Sequence, residues 1–120
     1  MMEKLTPQEE MAMQAVWQTG GGFIKDFLEA YPDPKPPYTT LASVVKKLEQ
    51  KGFIKAKKYG VIIGYTPVIT EKAYKKKFMS GFVKDYFENS YKELVTFFAR
   101  EKKIDAEELK EIIALIEGKK

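Results

Sequence analysis

The chain has 120 residues, of which 44% are hydrophobic and 32% charged, with a formal net charge of +4. The length fits one domain, or one small domain with an appendage. The composition indicates neither a disordered chain nor a membrane protein, since no apolar run approaches the roughly 20 residues that span a bilayer. The absence of cysteine and histidine excludes disulfides, zinc sites and Ser-His or Cys-His catalysis, and leaves carboxylate-only chemistry as the enzymatic alternative.

The first predicted elements are two helices separated by glycines. Thr6-Pro7-Gln8-Glu9 has the form of a capping box, so a first helix is expected from here to about Gln18. Its predicted apolar side consists of Met11, Met13, Ala15, Val16 and Trp17. The TGGG stretch at 19–22 lacks the strand and the Gly-Lys-Ser/Thr of a phosphate loop, and we interpret it as a helix cap and loop. Apolar spacing over 23–31 predicts a second helix, which the prolines of 32–37 end.

A third helix and a hairpin follow. Four apolar residues at helical spacing predict an amphipathic helix that Gly52 ends: Leu41, Val44, Val45 and Leu48. Residues 55–59 and 61–67 are rich in β-branched and aromatic side chains and predict two strands around a turn at Gly60. Three short helices followed by a hairpin predict a winged helix-turn-helix domain over residues 1–70.

Basic residues concentrate in the third helix and the hairpin. Residues 35–59 contain seven lysines and one acid, Glu49, a formal charge of +6. With the apolar stripe inward, the helix exposes hydroxyl groups suited to base edges and lysines suited to phosphates. We assign the whole cluster to one DNA-docking surface, although lysine clusters also occur as solvated faces. The proposed surface includes Thr39, Thr40, Ser43, Lys46, Lys47, Lys55, Lys57 and Lys58.

The second half, residues 71–120, is predicted to be helical throughout. Thr70 caps one helix, a second spans the region of Tyr91 and Phe98, and the capping box at 105–108 opens a third, whose dipole the final Lys119-Lys120 complements. A small winged domain cannot cover so many large apolar side chains, so we predict a helical dimerisation region. The predicted interface consists of Phe98, Leu109, Ile112, Ile113 and Ile116. The fold class is therefore mainly α with a small β-hairpin.

Four stretches carry a resemblance to a known family over nearly the whole chain: LTPQEEMAMQAVW, YTTLASVVKKLEQKGFI, GYTPVITEKAY and ELVTFFAREKKIDAEELKEIIALIEGKK. They resemble the opening helix, the recognition helix, the second wing strand with its exit, and the C-terminal helices of the penicillinase-repressor family of bacterial transcription regulators, the BlaI/MecI/CopY type. The glycines at 19–22 depart from the family, which usually has a capping polar residue before its second helix.

The resemblance implies a repressor that binds a dyad-symmetric operator in double-stranded DNA as a homodimer, with no enzymatic activity and no cofactor or metal. It implies DNA contacts from the recognition helix, including Tyr38, and from the wing, including Tyr59. In the β-lactam branch a sensor protease cleaves an Asn-Phe bond in the dimerisation helices, and the aligned pair here is Phe97-Phe98. The copper branch uses C-terminal cysteines, which this chain lacks.

Two expectations complete the sequence-based account. The start, MMEKLTPQEE, has no apolar core of a signal peptide, so we expect a cytoplasmic protein without direct membrane insertion. The alternative function is a winged-helix protein-protein interaction module without specific DNA binding, because its lysines could meet an acidic protein instead.

Overall fold

The computed structural model describes residues 4–118, which form six α-helices and one two-stranded antiparallel sheet. The elements in chain order are α1 (Pro7–Thr19), α2 (Ile24–Ala30), α3 (Tyr38–Gln50), β1 (Ile54–Tyr59), β2 (Ile62–Pro67), α4 (Glu71–Phe87), α5 (Tyr91–Arg100) and α6 (Ala106–Ile116). A winged helix followed by helices is therefore confirmed. Lys119 and Lys120, predicted to complement the last helix dipole, lie outside the described residues.

The chain divides between Lys77 and Phe78 into two compact units, called here the winged unit and the C-terminal unit. The sequence-based division into domains 1–70 and 71–120 stays a prediction. No helix among residues 4–118 is long and apolar enough to span a bilayer.

The start of α1 is fixed by the predicted capping box. The Glu9 amide donates to Thr6 Oγ1 at 3.2 Å, and the Thr6 amide donates to Glu9 Oε1 at 2.9 Å, which satisfies two amide groups that the helix itself cannot pair. Met11, predicted on the apolar side of α1, is instead half-exposed, and this part of the prediction is wrong. The buried face of α1 is the narrower stripe of Ala12, Met13, Ala15 and Val16.

The three glycines after α1 let the chain approach the sheet closely. Gly20 ends the helix in the left-handed region, with φ of 78°. The Gly22 amide and carbonyl exchange two hydrogen bonds with Tyr65 in β2, at 2.8 and 2.7 Å. A Cβ atom on Gly21 would lie 2.8 Å from the Tyr65 carbonyl oxygen, so only glycine fits there. The predicted cap is confirmed, and the loop also pairs with β2 through a single antiparallel β-bridge between Gly22 and Tyr65.

The start of α2 has no capping side chain, because the residue before the helix is Phe23. Asp26 Oδ2, inside the first turn, accepts a hydrogen bond from the Phe23 amide at 2.8 Å. A Cβ atom on residue 22 would lie only 2.7 Å from Asp26 Oδ2, so the glycine at this position leaves the space that the contact needs. Asp26 therefore binds the amide of the residue that precedes the helix, while no side chain caps the first amide groups of α2 itself.

The hairpin is confirmed with slightly shifted limits. β1 begins at Ile54, and β2 begins at Ile62 because Gly60 and Val61 form a two-residue turn. Gly60 has a φ of 67° and precedes a residue with negative φ, the glycine-first pattern of a type II′ turn. Val61, predicted as the first residue of the second strand, therefore lies at the end of the hairpin.

The core of the winged unit lies between the three helices and the base of the hairpin. All four apolar residues of the α3 stripe are buried, together with Phe27, Phe53 and Ile54, and each such burial contributes about 1.5–3 kcal/mol. Phe53 also closes the hairpin base, since its amide donates to the Leu48 carbonyl and its carbonyl accepts from Val68. α3 and the hairpin are therefore fixed to the same core.

The beginning of α4 packs on this core through Tyr74. Its ring lies 5.7 Å from the Trp17 ring and 5.8 Å from the Phe53 ring, measured between centroids. The Tyr74 hydroxyl accepts from the Leu5 amide and donates to Glu10 Oε2 at 2.7 Å. Burial and the hydrogen bond to the Glu10 carboxylate raise the pKa of Tyr74 to about 12, so this phenol stays protonated and keeps donating at neutral pH.

Candidate nucleic-acid interface

The outward face of α3 carries the predicted base-reading and phosphate-binding side chains. Thr39, Ser43, Lys46 and Lys47 are exposed, and Thr40 on the flank is half-buried. The side chains of Ser43, Lys46 and Lys47 form no hydrogen bond or ion pair with any described residue. Their polar groups are therefore free to bind another molecule.

The amino end of α3 also favours an anion. Pro37 precedes the helix and provides no side-chain acceptor, so the first amide groups, from Tyr38 onwards, have no capping side chain. Unpaired amides at a helix start carry a partial positive charge that attracts phosphate groups. Tyr38 itself is half-exposed at this end. The helix thus offers phosphate-binding groups at its start and along its outer face.

Two of the seven lysines bind partners within the fold. Lys35 Nζ donates to the carbonyl oxygens of Glu29 and Tyr31, at 3.1 and 2.6 Å, and so satisfies acceptors at the end of α2. Lys51 Nζ donates to Glu9 Oε1 at 2.7 Å. That the entire +6 cluster is one docking surface stays a prediction, but the ammonium groups of these two residues already have partners within the fold. The remaining five are Lys46, Lys47, Lys55, Lys57 and Lys58.

The hairpin register separates its three lysines. Lys55, Lys57 and Tyr59 pair with Thr66, Gly64 and Ile62, whereas Lys58 pairs with Ile63. Because alternate residues of a strand point to opposite faces, Lys55 and Lys57 share one face of the hairpin and Lys58 occupies the other. The structure does not bring the three ammonium groups together.

Tyr59 is held on the outer face with Lys57. Its ring meets the Phe23 ring edge-on, with centroids 5.7 Å apart. Gly64, directly beneath, leaves the space for this packing, since a Cβ atom there would lie 2.8 Å from the Tyr59 ring. Lys57 Nζ lies 5.5 Å from the centroid of the same ring, within the range of a cation–π contact. Lys57 is therefore partly occupied within the hairpin.

Lys58 lies on the face that adjoins α3, because Ile54 and Ala56 on the same face pack in the core with that helix. The strand partner of Lys58, Ile63, lines a cavity of about 470 Å³ together with Tyr38, at the start of α3, and Tyr65. Lys25, on α2, lines the same cavity, is exposed and has no ion pair among the described residues. Sequence reasoning missed Lys25 because it lies ten residues before the basic cluster, where nothing in its local pattern distinguishes it. Lys25, the start of α3 and the end of the hairpin thus line one cavity.

Comparison with known proteins identifies the family. The family model described as Penicillinase repressor matches residues 5–118. The chain belongs to the penicillinase repressor family. No curated protein is similar enough to the chain to count as a match. The resemblance inferred from the sequence is therefore confirmed, and membership assigns the chain to a family of transcription regulators, in the role of a repressor.

A buried ion pair in the repressor ties α1 to the end of its α3 helix. Glu9 is only 4% exposed, and Lys51, which follows α3, binds its carboxylate. Burial by itself would raise the pKa of Glu9, but the hydrogen bond and charge of Lys51 and the hydrogen bonds from Thr6 outweigh it, and the pKa lies below its usual value. The carboxylate is thus held ionised by both its cap and its ion pair.

Replacing Glu9 by glutamine is expected to lower the free energy of unfolding of the winged unit by about 1–3 kcal/mol near neutral pH, because the Lys51 ammonium loses its charged partner. A carboxyl with a depressed pKa in the folded state stabilises above its unfolded pKa of about 4.3, and this contribution disappears as pH falls through the folded pKa. The difference between wild type and Glu9→Gln should therefore shrink in acid.

Urea unfolding followed by Trp17 fluorescence, at about pH 7 and about pH 3, measures this difference, since Trp17 is the only tryptophan and lies in the winged unit. Glu29→Gln is the matched control, because the Glu29 side chain is exposed and makes no ion pair with a described residue. A Glu9→Gln variant as stable as the control at neutral pH would show that the pair does not stabilise the fold.

The C-terminal unit of the repressor leaves its apolar helix faces open. Val83 is the one buried side chain among residues 78–118, and neither α5 nor α6 has any. Of the predicted interface residues, Leu109 is half-buried, and the others are exposed: Phe98, Ile112, Ile113 and Ile116. An apolar surface of this kind marks a contact with another molecule.

The Phe97-Phe98 bond lies inside α5. The two rings are 5.4 Å apart, and the Phe97 ring meets that of Phe87 at 5.8 Å. Both side chains are partly exposed, but the backbone between them is helical. No group of His, Cys, Asp or Glu side chains within residues 4–118 could hold a metal ion.

Proposed function

We propose that this repressor is a homodimer that binds a dyad-symmetric operator in double-stranded DNA, each protomer docking through α3 and the hairpin. The observation that carries the proposal is the outward face of α3, where the exposed Ser43, Lys46 and Lys47 have no partner among the described residues. Polar groups without internal partners, on a helix narrow enough for the major groove, suit base edges and phosphates.

The side chains divide between two kinds of contact. Thr39, Thr40 and Ser43 are short and hydroxylated, so they let the helix approach base edges closely and can accept or donate there. Lys46 and Lys47 reach outward and would bind phosphates on the flanking strands. The uncapped start of α3 at Tyr38 would bind a further phosphate. This arrangement would provide sequence preference from the helix and affinity from its lysines.

Dimerisation would place two such helices on one operator. The exposed side chains of α5 and α6 offer a self-complementary apolar surface, and a two-fold pair of protomers would cover both copies at once. A two-fold dimer also matches a dyad-symmetric site, with half-sites about one helical turn of DNA apart. Operator binding would be carried out in the cytoplasm.

Relief of repression would follow cleavage of the C-terminal helices by a sensor protease. The Phe97-Phe98 bond is supported as the site by its exposed side chains. A protease needs extended backbone, so α5 would have to unwind locally before cleavage. The exposed apolar face of α5 would make such opening less costly in a protomer separated from its partner than in the dimer.

Within the wing, we expect Lys58→Ala to reduce DNA affinity more than Lys57→Ala. Lys58 lies on the face that adjoins α3, whereas Lys57 lies on the other face over the Tyr59 ring. Loss of one phosphate contact should lower the slope of log affinity against log salt by about one unit. Fluorescence anisotropy of operator and scrambled duplexes at several salt concentrations measures both effects, and the two duplexes should lose affinity by similar factors.

The matched pair of variants removes the same charge from neighbouring positions, so net charge alone predicts equal losses. Equal effects of Lys57→Ala and Lys58→Ala would mean that the hairpin docks through both faces or through neither.

Selection of bound fragments from a pool of random duplexes tests the proposal against a protein-interaction module. The repressor should enrich an inverted repeat. Recovery of fragments without any common sequence would favour the interaction module instead.

A further inference from the structure

The end of the hairpin presents apolar side chains to solvent. Val61, in the two-residue turn, is fully exposed at 101%, and Ile62 and Ile63 after it are 53% and 41% exposed. Hairpin turns usually carry glycine, asparagine or aspartate, which suit the turn geometry and water. A β-branched apolar residue that contacts nothing gives the fold no burial energy. These three residues therefore point to a contact outside the described fold.

The charged residues of the hairpin and of the cavity beside its apolar end are all lysines. The hairpin, residues 54–67, contains Lys55, Lys57 and Lys58 and no acidic residue. Lys25 lines the cavity that Val61, Ile62 and Ile63 also line. A partner that fits must therefore have an apolar floor between anionic walls. The minor groove of DNA offers such a site, because sugars line it, a base step that unstacks exposes apolar base faces in it, and the two phosphate strands flank it.

The position of the apolar end favours DNA over other partners. The cavity beside it also includes Tyr38, at the start of α3, so the apolar end is continuous with the proposed docking surface. A second copy of the chain would bring the same lysines against one another, which is repulsive. An anionic lipid surface has similar chemistry but no continuity with α3.

We propose that Val61 and Ile62 form an apolar wedge that enters the minor groove next to the major-groove site of α3 and partly unstacks a base step there. This inference rests on the proposed operator binding. A wedge of this kind bends the duplex, and its cost depends on how easily the step opens. The repressor would then prefer flexible pyrimidine–purine steps at a position where no polar side chain reads a base.

Val61→Ser and Ile62→Ser test the wedge, with Val68→Ser as the matched control. Val68 is also an exposed valine and lies just beyond β2, at the opposite end of the hairpin from the turn. Because Val61 makes no contact in the fold, its replacement should leave the melting curve of Trp17 fluorescence unchanged. Affinity and bend are measured on the duplex that the wild-type repressor selects, which carries a fluorophore at each end for energy transfer.

Each wedge variant is expected to bind this duplex about tenfold more weakly, the factor that loss of about two buried carbon groups gives. Energy transfer should report a smaller bend, and renewed selection should lose the pyrimidine–purine preference while keeping the bases read by α3. The Val68→Ser control should behave as wild type in all three measurements.

Unchanged affinity and bend in both variants would overturn the wedge. So would binding of the wild type to anionic vesicles that Val61→Ser abolishes while its DNA affinity stays unchanged. Self-association that Val61→Ser abolishes would also overturn it. If wild type binds no duplex, operator binding fails and the wedge fails with it. If wild type binds and bends its duplex but the variants do the same, only the wedge is contradicted.

Discussion

Replacing both Ile112 and Ile116 by aspartate is expected to convert the repressor from a dimer to a monomer at micromolar concentration. These side chains are exposed in the single chain, 41% and 78%, on a helix with no buried residue. In a dimer they would be covered, and burying an unpaired carboxylate there costs several kcal/mol at least. Since neither side chain is in a core, the monomer should keep its helices.

Light scattering after gel filtration measures the mass, and circular dichroism measures the helix content. Operator affinity should fall by about 10²–10⁴, because the second half-site loses the benefit of a linked binding event. Lys110→Asp is the control, since it changes the charge of α6 by the same two units at an exposed polar position. A wild-type monomer at micromolar concentration, or a double variant that dimerises normally, would rule out this interface.

The double substitution Lys46→Ala/Lys47→Ala is expected to weaken binding to every duplex. Both ammonium groups are exposed and unpaired among the described residues, so their loss should remove two phosphate contacts without disturbing the fold. The slope of log affinity against log salt should fall by about two units. Operator and scrambled duplexes should be affected alike, because phosphates carry no sequence information.

The double variant Thr39→Ala/Thr40→Ala, on the same helix, is compared with the double lysine variant. It leaves the charge unchanged, so the salt slope should stay at the wild-type value while the selected sequence changes. Lysine variants that bind as wild type at every salt concentration would show that the outward face of α3 is not the docking face. An unchanged motif in the threonine variant would count against base reading by the start of α3.

Much of the winged unit could be predicted because its signals are local. The capping box at Thr6 and Glu9 joins residues three apart, and the α3 stripe follows from helical periodicity, so both are visible in a short window. The pairing of Lys51 with Glu9, 42 residues away, has no local signal. This long-range contact explains why a charge count could not show that Lys51 already has an ionic partner.

The positions of the hairpin lysines could be predicted in part, because the alternation of side chains is visible in the sequence but assigns them to faces only when the strand pairing is known. Alternation along β1 separates Lys57 from Lys58 once the strand is known to be regular. Which face adjoins α3 depends on which side of the strand is buried, and the packing of Ile54 and Ala56 in the core shows that it is the side of Lys58. In the C-terminal unit the sequence predicts apolar helix faces, and the structure has them. The surface that would cover these faces belongs to another molecule, so one chain does not show it.

Sequence-specific docking through α3 is tested most directly by the affinity of the wild-type repressor for its selected inverted repeat and for a permuted duplex of the same composition, across a series of salt concentrations. The account predicts tighter binding to the inverted repeat at every concentration, by about 10³-fold or more. Both affinities should fall linearly on a log–log plot. Equal affinity for the two duplexes, or binding that does not weaken with salt, would contradict it.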